Sequence, residues 1–167
     1  MKLLIVRHGP AGDRERWRRA GRPDAERPLT ERGREKTRAA AQGLSRAYGR
    51  LELIATSPWT RAAQTAVLLS RACGGRIVET AALIPDRAPE ELLAWLSRRR
   101  ERRVAVVGHE PHLSRLASWL MTGTARSRLR LKKSQALLLD LPRFEAGAGA
   151  LAWSLAPRHL RALSRRP

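Results

Sequence analysis

Short apolar runs alternate with amphipathic stretches along most of this chain, the pattern of strands feeding helices. Leu-Leu-Ile-Val at 3–6 marks Lys2–Arg7 as a short buried strand. A polar stretch punctuated by Gly and Pro follows as far as Pro28. Thr30 suits a helix N-cap with Glu31 in the first turn, and Ala40, Leu44 and Ala47/Tyr48 then share one helical face. Residues 51–56 read as a second strand. Ser57-Pro58 signals a helix start, with Ala62, Ala66, Leu69 and Cys73 on the apolar face. Arg76–Glu79 gives a third strand, and 89–99 a helix with Leu92, Leu93 and Leu96 inward. Residues 104–108 are almost wholly apolar, as a strand covered on both faces should be, and 111–121 restart a helix. Residues 136–141 and 151–155 flank a Gly/Ala turn at 145–150 and predict a closing antiparallel pair. The expected fold is α/β: a three-layer sandwich with a mostly parallel sheet and helices on both faces. One domain spans 1–157, followed by a basic C-terminal tail at 158–167.

Length and composition narrow the class. The 167 residues suit one domain with a real core. A single Cys cannot form an internal disulfide, no apolar run nears the length of a membrane span, and 3–6 are too few for a secretion-signal core. A soluble, reduced, cytoplasmic protein is expected, with no membrane partner. The formal charge is +19, and 30 of the 34 basic residues are Arg. They are scattered along the chain, and aromatics make up only 4%, so the interleaved basic and aromatic stripe of a nucleic-acid reader is missing. Arg-rich compositional bias explains much of this charge; attraction to acidic or phosphorylated partners explains the rest.

Function is concentrated at the strand ends, where ligands of α/β sheets bind. Arg7 and His8 follow the first strand, Ser57 and Arg61 the second, and Gly108 and His109 the fourth. Three strands therefore deliver two His and two Arg to one edge of the sheet. Arg61 adds a second clue. A cation in the first turn of a helix is disfavoured by the partial positive charge there, unless an anion also sits at that end.

Arg7-His8-Gly9, Arg27-Pro28-Leu29-Thr30, the block from Ser57 to Thr65 (Ser-Pro-Trp-Thr-Arg-Ala-Ala-Gln-Thr) and Gly108-His109-Glu110-Pro111 together resemble the histidine phosphatase superfamily. Within it, the compact length is most similar to the SixA-type phosphohistidine phosphatases. The likeness runs well from Met1 to Met121 and weakly beyond. Two departures separate the chain from the family's mutases. It contains no Asn, and only 77–89 separate the second long helix from the next, leaving little room for an acid-bearing insertion.

The resemblance implies that His8 is the nucleophile, forming a phosphohistidine that water hydrolyses, with Arg7, Arg61 and His109 around the phosphoryl oxygens. Those residue types suit the work. A neutral imidazole can attack phosphorus, and a planar guanidinium grips two oxygens without losing its charge. No cofactor or metal is expected, since these groups supply the positive charge. Arg27 is a candidate for the pocket mouth, and reads equally as a plain loop Arg. Asp86, Glu110, Glu79 and Glu90 are candidate proton donors, each also readable as a surface carboxylate. An alkoxide leaving group wants a proton in the transition state, whereas imidazole is far less basic, so a site without a clear acid suits phosphohistidine. The expected substrate is a phosphorylated phosphotransfer protein, with inorganic phosphate as product. The alternatives are small phosphomonoesters such as sugar phosphates or nucleotides, and a basic anion- or nucleic-acid-binding module. His112 and His159 read as surface residues, Cys73 as packing, Trp95 and Trp119 as helix-face residues, and Lys132-Lys133 as a solvated turn or docking rim.

Overall fold

The first strand sets the register for everything around it. In the computed structural model, which describes residues 1–165, β1 (Lys2–Arg7) lies between β4 (Arg103–Gly108), to which it is parallel, and β5 (Ala136–Asp140), to which it is antiparallel. β2 (Leu53–Thr56) pairs in parallel with β4 and with β3 (Arg76–Glu79), while β6 (Ala150–Leu155) runs antiparallel to β5. The sheet order is β3-β2-β4-β1-β5-β6. The mostly parallel sheet with an antiparallel closing pair is the arrangement that the sequence pattern predicts.

Strand residues alternate between two cores, as the twofold period of a strand requires. Leu3, Ile5, Leu53, Val104 and Val106 face α4 (Pro89–Ser97) and α5 (His112–Thr122), meeting Leu92, Leu96, Leu113 and Leu116. Leu4, Val6, Ile54, Ala105 and Val107 face the other side, under α2 (Glu31–Tyr48) and α3 (Thr60–Cys73), with Ala40, Leu44, Ala62 and Leu69. Each fully buried Leu or Ile contributes about 1.5–3 kcal/mol relative to exposure. Because both faces are covered, the central strands are nearly continuous apolar runs.

Four local expectations are corrected. Residues 158–165 do not form a free tail: α6 (Pro157–Leu163) packs along α2, with Leu160 buried in the second core. One apolar residue among Arg158, His159 and Arg161 suffices, because Gly43 lets the α6 backbone approach where any Cβ would collide with Leu160. Arg166 and Pro167, the rest of that segment, lie outside the described residues. The polar stretch before Pro28 contains a helix, α1 (Arg14–Arg19), capped by Asp13 accepting from the Arg16 N–H, and a 3-10 turn at Asp24–Glu26. Neither element buries a side chain, so they left no hydrophobic period to read. Ala47 is exposed, while Tyr48 beside it is half-buried against the second core. The fourth correction, at Ser57-Pro58, belongs to the site.

Candidate active site

Parallel pairing places the candidate residues side by side before any side chain is considered. Arg7 is in register with Gly108, and Thr56 with Val107, so the residues leaving β1, β2 and β4 emerge together. The His8 N–H donates to the Gly108 carbonyl (3.0 Å) and the Ser57 N–H to the Val107 carbonyl (3.0 Å), extending the ladder one residue into the loops. Gly9 then turns beneath α2, where a Cβ would strike Thr37, and its N–H donates to the Thr65 hydroxyl at 3.0 Å.

The two imidazoles meet at the mouth of this edge, with ring centroids 5.1 Å apart. Both side chains are buried. His8 Nδ1 lies 2.7 Å from the Gly9 carbonyl. A carbonyl only accepts, so Nδ1 carries the proton and Nε2 keeps its lone pair. Arg61 Nε–H donates to that Nε2 at 3.3 Å. Burial, with Arg61, Arg7 and Lys133 nearby, pushes the His8 pKa down to about 3, against a weaker pull upward from the Gly9 carbonyl. His109 falls to about 2, again chiefly by burial and then by His8 and Arg61. Both rings are neutral at physiological pH.

Arg61 occupies the first turn of α3 and is 4% exposed. The anion that its position calls for is partly supplied by the fold. Arg61 Nη1 donates to the Asp24 carbonyl at 2.7 Å and Nη2 to the Asp24 carboxylate at 3.1 Å. Asp24 also accepts from Arg27 Nε at 2.7 Å, while Arg27 Nη1 donates to the Gly12 carbonyl at 2.6 Å. Burial alone would raise the Asp24 carboxyl, but the hydrogen bond from Arg27 and the charges of Arg61, Arg27 and Arg14 hold it below the usual carboxylate range. Burial lowers Arg61 to about 10, partly offset by Asp24, and the guanidinium remains charged at neutral pH.

Ser57-Pro58 does not start the helix. α3 begins at Thr60 after Trp59, and Ser57 instead lies with its hydroxyl 3.0 Å from His109 Nε2. The three-residue link between strand and helix ends in Trp59, which lies against the His109 ring (4.8 Å) and under the Arg61 guanidinium (4.6 Å). Ser57 orients one imidazole and Trp59 packs both partners. Sequence reasoning missed both roles, along with Asp24. The Ser-Pro motif was the available signal for Ser57, while Asp24 depends on how an irregular loop folds back and left none.

These groups line an open cleft of about 560 Å³ that also takes in Arg7, Arg27, Asp86, Glu110 and Lys133. Arg7 Nη1 donates to the Leu131 carbonyl (2.7 Å), and its buried Nε–H has no partner among the described residues. His109 Nδ1 is likewise buried and without a partner among the described residues. Arg27 is 7% exposed, deeper than a mouth residue. Glu110 also lies deeper than a surface carboxylate: burial pushes its carboxyl up against the pull of a Ser114 hydrogen bond and Arg7, and its Oε1 has no partner among the described residues. Asp86 lines the cleft but is exposed, and Glu79 and Glu90 lie away from it. His112, expected at the surface, is the first residue of α5 and is buried. His159 is exposed on α6, as expected. Among the described residues no cluster of His, Cys, Asp and Glu could hold a metal ion, and no helix is long and apolar enough to cross a membrane.

The arrangement offers a neutral, oriented nitrogen nucleophile ringed by cations and spare N–H donors, a setting for an incoming phosphoryl group. The family model of the histidine phosphatase superfamily (branch 1) matches residues 3–84. An uncharacterized protein of Picosynechococcus sp. is 36% identical over 138 residues, 80% of this chain and 81% of that protein. The structure of the protein histidine phosphatase SixA complexed with tungstate superposes with a TM-score of 0.80 at 25% identity, covering 96% of this chain and 99% of the other. A phosphoserine phosphatase variant of Entamoeba histolytica bound to phosphoserine shares the fold at a TM-score of 0.67 and 13% identity, over 95% and 98% of the two chains. The phosphatase motifs at the strand ends are thus carried by a matching fold, and the chain belongs to the histidine phosphatase superfamily.

Proposed function

We propose that this phosphatase removes phosphate from a phosphohistidine on another protein, by way of a phosphohistidine formed on its own His8. The observation that carries the reading is the His8 ring: its Nδ1–H is tied to Gly9, and its Nε2 lone pair accepts only the Arg61 Nε–H, which shifts to a phosphoryl oxygen as Nε2 attacks. Nε2 attacks phosphorus as the substrate's P–N bond breaks. The bonding pair leaves with the substrate imidazole, which takes a proton from solvent. Arg7, Arg61 and His109 donate to the equatorial oxygens, where the charge of a transferring phosphoryl group is spread. Water then attacks the His8-bound phosphorus, releasing inorganic phosphate and restoring the free ring. Transfer from one imidazole to another is close to an even exchange, so it asks little of a general acid. Asp24, ion-paired and ionised, has no proton to give, and Asp86 stands in solvent. The open cleft admits a protruding side chain.

One observation favours a second reading. Glu110 lines the cleft with its carboxyl pushed upward by burial, a property of proton donors to alkoxide leaving groups. That would suit small phosphomonoesters, and the same fold serves a phosphoserine phosphatase. The two separate on kcat/KM for a histidine-phosphorylated phosphotransfer domain against phosphoserine and sugar phosphates. The phosphoprotein is expected to be the faster substrate, with Glu110→Gln retaining most of that activity. Faster monoester turnover that Glu110→Gln abolishes would reverse the order.

A further inference from the structure

The positive charge is less evenly spread than the composition suggests. Residues 111–139 contain no Asp or Glu but carry Arg115, Arg126, Arg128, Arg130, Lys132 and Lys133. Elsewhere exposed cations often have neighbours of opposite sign, as in Arg18–Glu15, Arg76–Glu101, Arg87–Glu91 and Arg143–Glu145. None of these six side chains pairs with a carboxylate among the described residues.

The fold gathers them. After α5 ends at Gly123 in the left-handed conformation, residues 124–133 run as a strap toward β5 without regular structure. Leu129 and Leu131 pack inward on the first core, with Leu131 2% exposed, and the alternate residues Arg126, Arg128 and Arg130 point to solvent. Between strap and α5 lies a groove of about 630 Å³, lined by Arg115, Arg126 and Arg130 with Ser114 and Ser127. The groove reaches Arg7 and Glu110, which also line the catalytic cleft. The Arg7 hydrogen bond to the Leu131 carbonyl ties the strap to the site.

We propose that the strap and its groove dock the acidic face of the phosphoprotein whose phosphohistidine enters the cleft; this rests on the reading given under Proposed function. Like charges crowded on one surface repel one another, and an opposing acidic surface relieves that repulsion while steering encounter. At about 3.3 Å per extended residue, Arg126 to Arg130 span about 13 Å, longer than a small monoester. No aromatic residue lies between Trp119 and Phe144, so the strap lacks the stacking platforms of a single-strand nucleic-acid surface.

The test compares wild type with Arg126→Gln/Arg128→Gln/Arg130→Gln, three exposed side chains outside the cleft lining. The substrates are an acidic histidine phosphotransfer domain charged with phosphoramidate, and free phosphohistidine. At low salt, kcat/KM on the phosphoprotein is expected to fall at least about tenfold, mainly through KM, as lost electrostatic steering would give. Turnover of free phosphohistidine should stay within about twofold, and the salt dependence seen with the phosphoprotein should flatten. Unchanged phosphoprotein turnover, or an equal loss on both substrates, overturns the docking surface and leaves the proposed activity standing. A variant that loses only affinity for duplex or single-stranded nucleic acid also overturns it, in favour of a polyanion surface. A wild type that hydrolyses neither phosphohistidine substrate overturns the proposed activity and the docking surface with it.

Discussion

Asp24→Asn tests whether the acidic residue beneath the site is part of its construction. Asn keeps the size and the backbone, so the 2.7 Å bond from Arg61 Nη1 to the residue 24 carbonyl can persist. The substitution removes the charge that Arg61 Nη2 and Arg27 Nε both meet, at 3.1 and 2.7 Å. Hydrogen bonds to charged groups contribute about 1.5–3 kcal/mol each, and one amide oxygen can still accept one of the two. A loss of about 2 kcal/mol is therefore expected, or about 4–8 °C in Tm for a chain of this size. Arg61 would also lose part of the hold that aims its guanidinium at the phosphoryl oxygens. If about 1.4 kcal/mol of that ordering reaches the transition state, kcat/KM falls about tenfold. Thermal unfolding and steady-state assays on the same preparation measure both. An unchanged Tm and unchanged kcat/KM would mean that Asp24 holds nothing. Faster turnover would mean that Asp24 competes with the substrate for Arg61 instead of positioning it.

Arg61→Ala should lower kcat/KM by about 10²-fold or more, the usual cost of one preorganised oxyanion donor; a loss under tenfold would turn Arg61 away from the phosphoryl group. Stability should fall as the pH drops below 6.5, because the unfolded chain then binds protons that buried His8 refuses down to about 3 and His109 down to about 2. The sign is fixed by depressed folded-state values: the stabilisation is complete above the unfolded pKa and lost on acidification. Denaturant titrations at pH 7.5 and 5.5 should differ by roughly 1 kcal/mol for each such His, and equal midpoints would contradict neutral buried rings. Leu160→Ala should destabilise by about 2–4 kcal/mol if α6 is part of the domain. A change below about 0.5 kcal/mol, the range of surface substitutions, would return residues 158–165 to a tail.

Much of the fold was legible because its signals are local. The apolar runs of β1, β2 and β4 and the faces of α2 to α5 follow from periodicity, and periodicity reports burial. α1 buries nothing and α6 buries one Leu, so neither gave a period. The site divides in the same way. His8, Arg7, Arg61 and His109 were legible because strand ends converge by topology, whatever the loops do. Asp24, Ser57 and Trp59 were hidden because their roles depend on how two loops fold over that edge. Arg61 in the first turn did call for an anion, but position alone could not say that a carboxylate of the same chain supplies one. His112 was misjudged because α5 is buried around its first turn, where nothing in the sequence separates a covered helix start from an exposed one.

The most direct measurement is capture of the phosphorylated enzyme. The wild type is mixed with a 32P-labelled phosphohistidine protein, quenched within milliseconds in alkaline denaturant, and digested for peptide mapping. We expect the label on His8, with none retained by His8→Asn although that variant still folds. Label on another residue, or full turnover by His8→Asn, would contradict nucleophilic attack by the imidazole at the end of β1.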